Sequence, residues 1–263
     1  FFDINKKNFW KKIYGKNYNK HPYFKKFLTE NFKFLNFDYF DVDKNNLKHK
    51  NFISPESFKK KYKINYKKKL AGFHTRNIPH NAHIWIHEFL TKKYKNLLVQ
   101  PLIHQYKKFE YKEKVILEKN KLALRKNKKS YLIPFFSYPR YGGPREAALH
   151  AVVRKNYGCT HFWVGRDHAG YKNFFKKYES QKFCKKNEKK IGIQIVSESE
   201  PYLCNYCQKI TNKRCNRIKC KNSKVTKISG SKIRRLIISK QKISNDLMQK
   251  KISKNLSIKS LIN

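Results

Sequence analysis

The chain has 263 residues, 39% hydrophobic and 15% aromatic, with 63 Lys+Arg against 17 Asp+Glu and a formal net charge of +46. This content excludes an intrinsically disordered chain, and the length suffices for one large domain or two small ones around a buried core. No apolar run reaches the length of a membrane span, so no membrane partner is expected.

So strong a positive charge ordinarily points to nucleic acid. Here only ten of the basic residues are Arg, and the Lys run from Lys6 to Lys259 without forming a stripe. The enriched residues (Lys, Asn, Ile, Phe, Tyr) share A- and T-rich codons, so the charge reads as codon bias and no specific nucleic-acid partner is expected. The start, Phe1-Phe-Asp-Ile, leads into no basic n-region and apolar h-region, so no secretory signal is expected and a cytoplasmic location follows. With no initiator Met, the chain reads as a fragment.

Residues 1–70 are aromatic, Lys-rich and short of glycine, and show no chemistry. From Lys69 a different pattern begins. Leu70–Phe73 reads as a buried strand and His80–Lys92 as a helix, with Ala82, Ile86, Phe89 and Leu90 at helical spacing. Leu97–Ile103 is a second strand, Tyr111–Leu124 a second helix and Tyr131–Phe136 a third strand. A helix over Glu146–Tyr157 has Gly143-Pro144 at its start and Gly158 at its C-cap. His161–Val164 is a fourth strand, Asn173–Phe183 a helix and Ile191–Val196 a fifth strand. Alternating strands and helices predict an α/β, doubly wound, mostly parallel sheet that binds ligands at the carboxyl ends of its strands.

Against the Lys-rich background, Gly, Arg and His gather in a few short segments, and eight of the nine Gly lie between Gly72 and Gly230. His80-Asn-Ala-His83 falls where a strand gives way to a helix, where backbone N–H groups and the helix dipole attract phosphate. Residues three apart share a helix face, so both imidazoles could reach one anion; the alternative is a pair of surface or core histidines. Thr75-Arg76-Asn77, just upstream, adds a planar cationic fork suited to oxyanions, or else a turn with an exposed Arg. Gly165-Arg166-Asp167-His168-Ala169-Gly170 follows the fourth strand as a glycine-bounded loop able to turn N–H groups toward an oxyanion, or is an ordinary turn. Ile228-Ser-Gly-Ser-Lys-Ile-Arg-Arg235 reads as a helix start capped by Ser229 or Ser231, with room for a nucleotide phosphate.

Cys204-x2-Cys207-x7-Cys215-x4-Cys220 has the spacing of a structural four-thiolate zinc site with no open position for catalysis. Chance or a disulfide loop is the competing reading. Cys159 and Cys184 read as buried thiols.

In order and spacing these motifs resemble ATP sulfurylase (sulfate adenylyltransferase). The family's Q-T-R-N segment and H-x-x-H pair appear as His74-Thr75-Arg76-Asn77, then His80 and His83. Its G-P-R-E-A helix, R-K-N-x-G-x-T-H strand entry and G-R-D-H-A-G loop appear at 143–147, 154–161 and 165–170. Its I-S-G-T-x-x-R motif appears at 228–234. The cysteines look most like the bacterial zinc-containing branch. Three departures stand out: His74 replaces Gln, Cys220 stands where His is expected, and the N-terminal region is short.

The resemblance implies a Rossmann-like nucleotidyltransferase. Its parts would be a truncated PUA-like region over 1–70, a catalytic domain over 71–228 with a zinc-binding insertion at 201–222, and a helical region over 229–263. It implies that ATP and sulfate are converted to adenosine 5′-phosphosulfate and pyrophosphate, in sulfate assimilation or, reversed, in sulfur oxidation, by a homo-oligomer. By resemblance, His74, Arg76 and the Ala169 N–H hold sulfate. Thr75, Asn77, His80 and His83 hold phosphates and developing charge, and Gly165, Arg166, Asp167 and His168 line the nucleotide. His74, Thr75, Arg76 and Asn77 thus also border ATP. Mg2+ would ride on pyrophosphate oxygens, and Zn2+ would be structural. Two other readings stay open: a basic zinc-containing nucleic-acid-binding protein, and a degenerate, inactive sulfurylase.

Overall fold

A computed structural model describes residues 7–29, 49, 51–65, 67–103, 110–214 and 216–262. Ahead of the sheet lie α1 (Lys7–Tyr14), a 3-10 turn (Tyr18–Lys20), α2 (Pro22–Thr29) and α3 (Pro55–Lys61). The main run is β1 (Leu70–Thr75), α4 (Asn81–Tyr94), β2 (Asn96–Ile103), α5 (Glu113–Leu124), β3 (Ser130–Leu132), β4 (Phe135–Phe136), α6 (Pro144–Asn156), β5 (His161–Trp163), α7 (Glu179–Lys186), α8 (Glu188–Ile191) and β6 (Gln194–Val196). Then come β7 (Tyr202–Cys204), β8 (Ile210–Thr211), α9 (Ile218–Lys221), β9 (Val225–Lys227), α10 (Gly230–Ile238), α11 (Lys250–Ser253) and a 3-10 turn (Ile258–Ser260).

The large sheet runs β3-β2-β1-β5-β6, with β4 also paired to β2, and every pairing in it is parallel. This is the predicted doubly wound sheet, and its strand order reverses between β1 and β5. The strands bury both faces, so neighbouring residues on one strand enter opposite cores. Leu70, Leu98, Phe162 and Ile195 pack with α6 and α7. Ala71, Phe73, Leu97, Val99, Trp163 and Val196 pack against Ile86 and Leu90 of α4. A third core joins α5 and α10 to Leu247, Met248, Ile252 and Leu261. No helix among the described residues is long and apolar enough to cross a membrane.

Several boundaries move from their predicted places. The first strand continues past Phe73 to Thr75 and carries His74 to the carboxyl end of the sheet's central strand. The third strand is two pieces, interrupted at Ile133-Pro134, because Pro134 has no N–H for the ladder. The helix expected from Asn173 starts only at Glu179. Tyr178 has φ +62°, its N–H donates to the Arg166 carbonyl, and its hydroxyl accepts from the Glu200 N–H, so this turn is held by tertiary bonds. The fifth strand begins at Gln194, since 188–191 form a helical turn ended by Gly192 at φ +75°. Of the two candidate caps of α10, Ser229 is the one that accepts from the Lys232 N–H.

Gly72 lies where α6 crosses β1. A Cβ there would come within 2.7 Å of Arg154 Cγ and 3.2 Å of Cys159 Sγ. Overpacking a closed core destabilises by roughly 1–3 kcal/mol. Gly72→Ala is therefore expected to lower the urea midpoint accordingly; an unchanged midpoint would mean that the Arg154 stem moves freely.

Candidate active site

All eleven oxyanion-site residues predicted from sequence line one cleft: His74, Thr75, Arg76, Asn77, His80, His83, Gly165, Arg166, Asp167, His168 and Ala169. It opens at the carboxyl ends of β1 and β5, where the strand order reverses, as expected for a sheet of this kind. The 228–231 segment and Arg234 line the same cleft.

At the end of β1 the backbone turns tightly because the Thr75 hydroxyl accepts from the Asn77 N–H at 2.9 Å. Arg76 donates to the Tyr141 hydroxyl at 2.6 Å, with its guanidinium carbon 4.8 Å from that ring's centroid. Asn77 Oδ1 accepts from Arg234, which lies 3.5 Å from the Glu110 carboxylate. Gly230 packs so tightly here that a Cβ would strike the Asn77 side chain.

The N-terminus of α4 is built from histidine. His80 caps it, Nδ1 accepting from the His83 N–H at 3.4 Å, and the two rings stack with centroids 3.8 Å apart. Burial pushes His80 down to about 4 and His83 well below the usual imidazole range. Both are therefore neutral near pH 7. His87, one turn further, is also buried and pushed down to about 3, and both its ring nitrogens lack partners in the described protein.

The loop after β5 holds Ala169 at φ +55°, its carbonyl accepting from the Gly143 N–H at 3.0 Å. Arg166 faces the cleft with its fork already engaged, 2.6 Å from a carboxylate oxygen of Asp167 and of Glu200. His168 Nε2 meets His150 Nδ1 at 3.0 Å. His150 Nε2 is 3.8 Å from Glu146, whose carboxylate accepts from the N–H groups of Gly142 (2.8 Å) and Arg140 (3.1 Å). Burial raises Glu146 above the usual carboxylate range against those donors, and pushes His168 down to about 3.

His74, His150 and His168 bring one nitrogen each within 4.8 Å of one another, a spacing that could hold a metal. The buried charge beside them argues for an anion instead. Arg154 is fully buried, 2.7 Å from His74 Nδ1; burial lowers His74, His150 and His168, and Arg154 and Arg76 lower all three further.

Sequence reasoning gave no site role to Tyr141, Glu146, His150, Arg154 or Glu200, although Glu146 and Arg154 fall within its motifs. A signal was present for three of them. Glu146, His150 and Arg154 follow at intervals of four along α6, a polar stripe beside Ala147 and Ala151 on a helix face that is buried. The N-terminal region also contributes. His21, fully buried and stacked on Tyr14 at 3.9 Å, makes a 3.1 Å bond to the Tyr141 carbonyl. Between residues 1 and 69 the described residues carry helices and no strand.

The second predicted cluster lies on a three-stranded antiparallel sheet, β8-β7-β9. Sulfur atoms of Cys204, Cys207 and Cys220 lie within 4.8 Å of one another; Cys215 is outside the described residues. The backbone N–H of Cys207 and the Ser223 hydroxyl pull the Cys204 thiol down to about 6. A pre-formed N–H···S knuckle with a thiolate at neutral pH fits a soft divalent cation. Cys159 and Cys184 are buried thiols, each pushed up to about 12 by burial, as inert structural cysteines are.

The family model for ATP-sulfurylase matches residues 49–258. Sulfate adenylyltransferase of Chloroflexus aurantiacus is 35% identical over 172 residues, covering 64% of this chain and 45% of that protein. Sulfate adenylyltransferase of Hyperthermus butylicus is 34% identical over 191 residues, covering 70% of this chain and 48% of that one. The chain thus spans about half the length of the curated relatives it matches. Among solved structures, the hexameric APS kinase from Thiobacillus denitrificans matches at a TM-score of 0.57 and 14% identity, covering 81% of this chain and 39% of that chain, a likeness of fold. The match over 49–258, with the cleft at the strand ends, gives the assignment: the chain belongs to the ATP-sulfurylase family.

Proposed function

We propose that the chain is a sulfate adenylyltransferase catalytic unit, joining ATP and sulfate into adenosine 5′-phosphosulfate and pyrophosphate. The carrying observation is that residues scattered over three sequence segments converge on one cleft rich in N–H and guanidinium donors. A sulfate oxygen attacks the α-phosphorus, the bond to the bridging oxygen breaks, and pyrophosphate leaves with that electron pair. No proton has to move, so the protein's task is positioning and charge stabilisation.

Arg76, His74 and the Ala169 N–H hold sulfate in this reading. Thr75, Asn77, His80 and His83 meet the phosphates at the N-terminus of α4, where the dipole favours negative charge. Gly165, Asp167 and His168 border the nucleotide, and Arg166, held by two carboxylates, stiffens that wall. Magnesium would neutralise pyrophosphate oxygens. The test is ATP formation from adenosine 5′-phosphosulfate and pyrophosphate with Mg2+; no ATP above a protein-free blank would refute the reading.

Cys204, Cys207 and Cys220 support a zinc-bearing branch, with Cys215 as the fourth thiolate. Elemental analysis is expected to find one zinc per chain. Cys207→Ser is expected to release it and lower the melting temperature, and a metal-free wild type of full stability would dismiss the zinc.

A further inference from the structure

Arg154 stands fully buried in the last turns of α6. Among the described residues no carboxylate pairs with it. A buried guanidinium without an acidic partner is unfavourable unless something else uses its donors. Burial lowers it to about 9, so it stays a cation near pH 7. One arm donates to the His150 carbonyl at 3.2 Å, and the guanidinium carbon lies 4.7 Å from the Phe135 ring centroid. The other arm meets His74 Nδ1 at 2.7 Å.

That last contact fixes a proton. Arginine has five N–H donors and no acceptor, so Nδ1 must present its lone pair. The His74 proton then sits on Nε2. Gly72, two residues earlier on β1, lets the Arg154 stem pass, since any Cβ there would collide with it. Gly72, His74 and Arg154 are therefore one fitted unit.

We propose that Arg154 is a positioning residue that locks His74 as its Nε2–H tautomer, so that His74 gives the cleft an N–H donor. The inference rests on the oxyanion reading of the cleft. His74 then does chemically what a carboxamide would: one atom accepts from Arg154 and another donates to the ligand. This gives the replacement of Gln by His74 a physical meaning, because an imidazole fixed in this tautomer keeps the amide's pattern of one acceptor and one donor. Burial is the first obstacle to a second proton on the ring, and the charged and titratable groups facing it, His150 and Arg154 on α6, His168 in the loop after β5 and Arg76 beyond β1, all oppose it as well. The donor therefore persists near neutral pH.

Long-range 1H–15N NMR on the wild type reads the tautomer directly. His74 is expected to show an unprotonated Nδ1 and a protonated Nε2 from pH 8 to about 6. Thermal stabilisation by sodium sulfate gives the second readout. His74→Ala is expected to need at least about tenfold more sulfate for half of the wild-type effect, and His74→Gln to recover most of that loss. Arg154→Met, if it folds, is expected to mix the tautomers and raise the pH at which His74 titrates. A protonated Nδ1 in the wild type overturns the proposal, as does His74→Gln responding no better than His74→Ala. The tautomer measurement needs neither nucleotide nor turnover. An inactive protein with the expected tautomer would therefore refute the functional reading and leave this inference standing.

Discussion

Lysine in place of Arg76 is expected to lower kcat/KM for ATP formation by at least about tenfold, roughly 1.4 kcal/mol of transition-state stabilisation. Arg76 already spends one arm on the Tyr141 hydroxyl and rests against that ring, which aims the rest of the fork. A lysine ammonium is a point charge on a flexible stem; it cannot hold Tyr141 and present two parallel donors to an oxyanion. The loss should fall on turnover and anion affinity, with the melting temperature nearly unchanged, because Arg76 is only half-buried. An unaltered rate would remove Arg76 from the site.

Acid is expected to unfold the protein well above the carboxylate range. Burial pushes His80 down to about 4 and His87 and His168 down to about 3, and holds His74, His83 and His150 well below the ordinary imidazole value of 6.5. Above pH 6.5 these groups are neutral in both states and the full stability is present. Below it the unfolded chain takes up protons that the fold refuses, so stability falls with pH until the folded values are reached. One pKa unit is about 1.4 kcal/mol. The three groups with stated values together remove on the order of 10 kcal/mol by pH 3, comparable with the whole stability of a typical domain, about 5–15 kcal/mol. Urea titrations are expected to lose roughly half or more of their unfolding free energy between pH 7 and 5. A flat profile over that interval would show the imidazoles to be solvated.

The α/β class, the strand and helix order and the cleft were legible because two periodicities alternate and because Gly, Arg and His stand out from a Lys-rich background. What escaped depends on distance in space. Nothing local marks Tyr178 as a helix breaker: its turn is made by Arg166 and Glu200, twelve and twenty-two residues away. His21 looked like one more residue of an aromatic tract, yet it stacks on Tyr14 and reaches Tyr141, more than a hundred positions later. Arg154 was legible as part of a motif, but its tie to His74 appears only when α6 is laid across β1.

The helix that opens with the paired imidazoles is fastened from far along the chain. The Asn81 N–H donates to the Leu247 carbonyl at 2.9 Å, and its side-chain amide donates to the carbonyls of Asn245 and Asp246. Residues 260–262 in turn zip onto 110–112, beside the carboxylate that holds Arg234. On a ribosome, every strand of the large sheet is made before these clamps exist. The nascent chain thus holds every strand of the large sheet while the helix that opens with the paired imidazoles is still untied, and its clamps form only when residues 245–262 arrive.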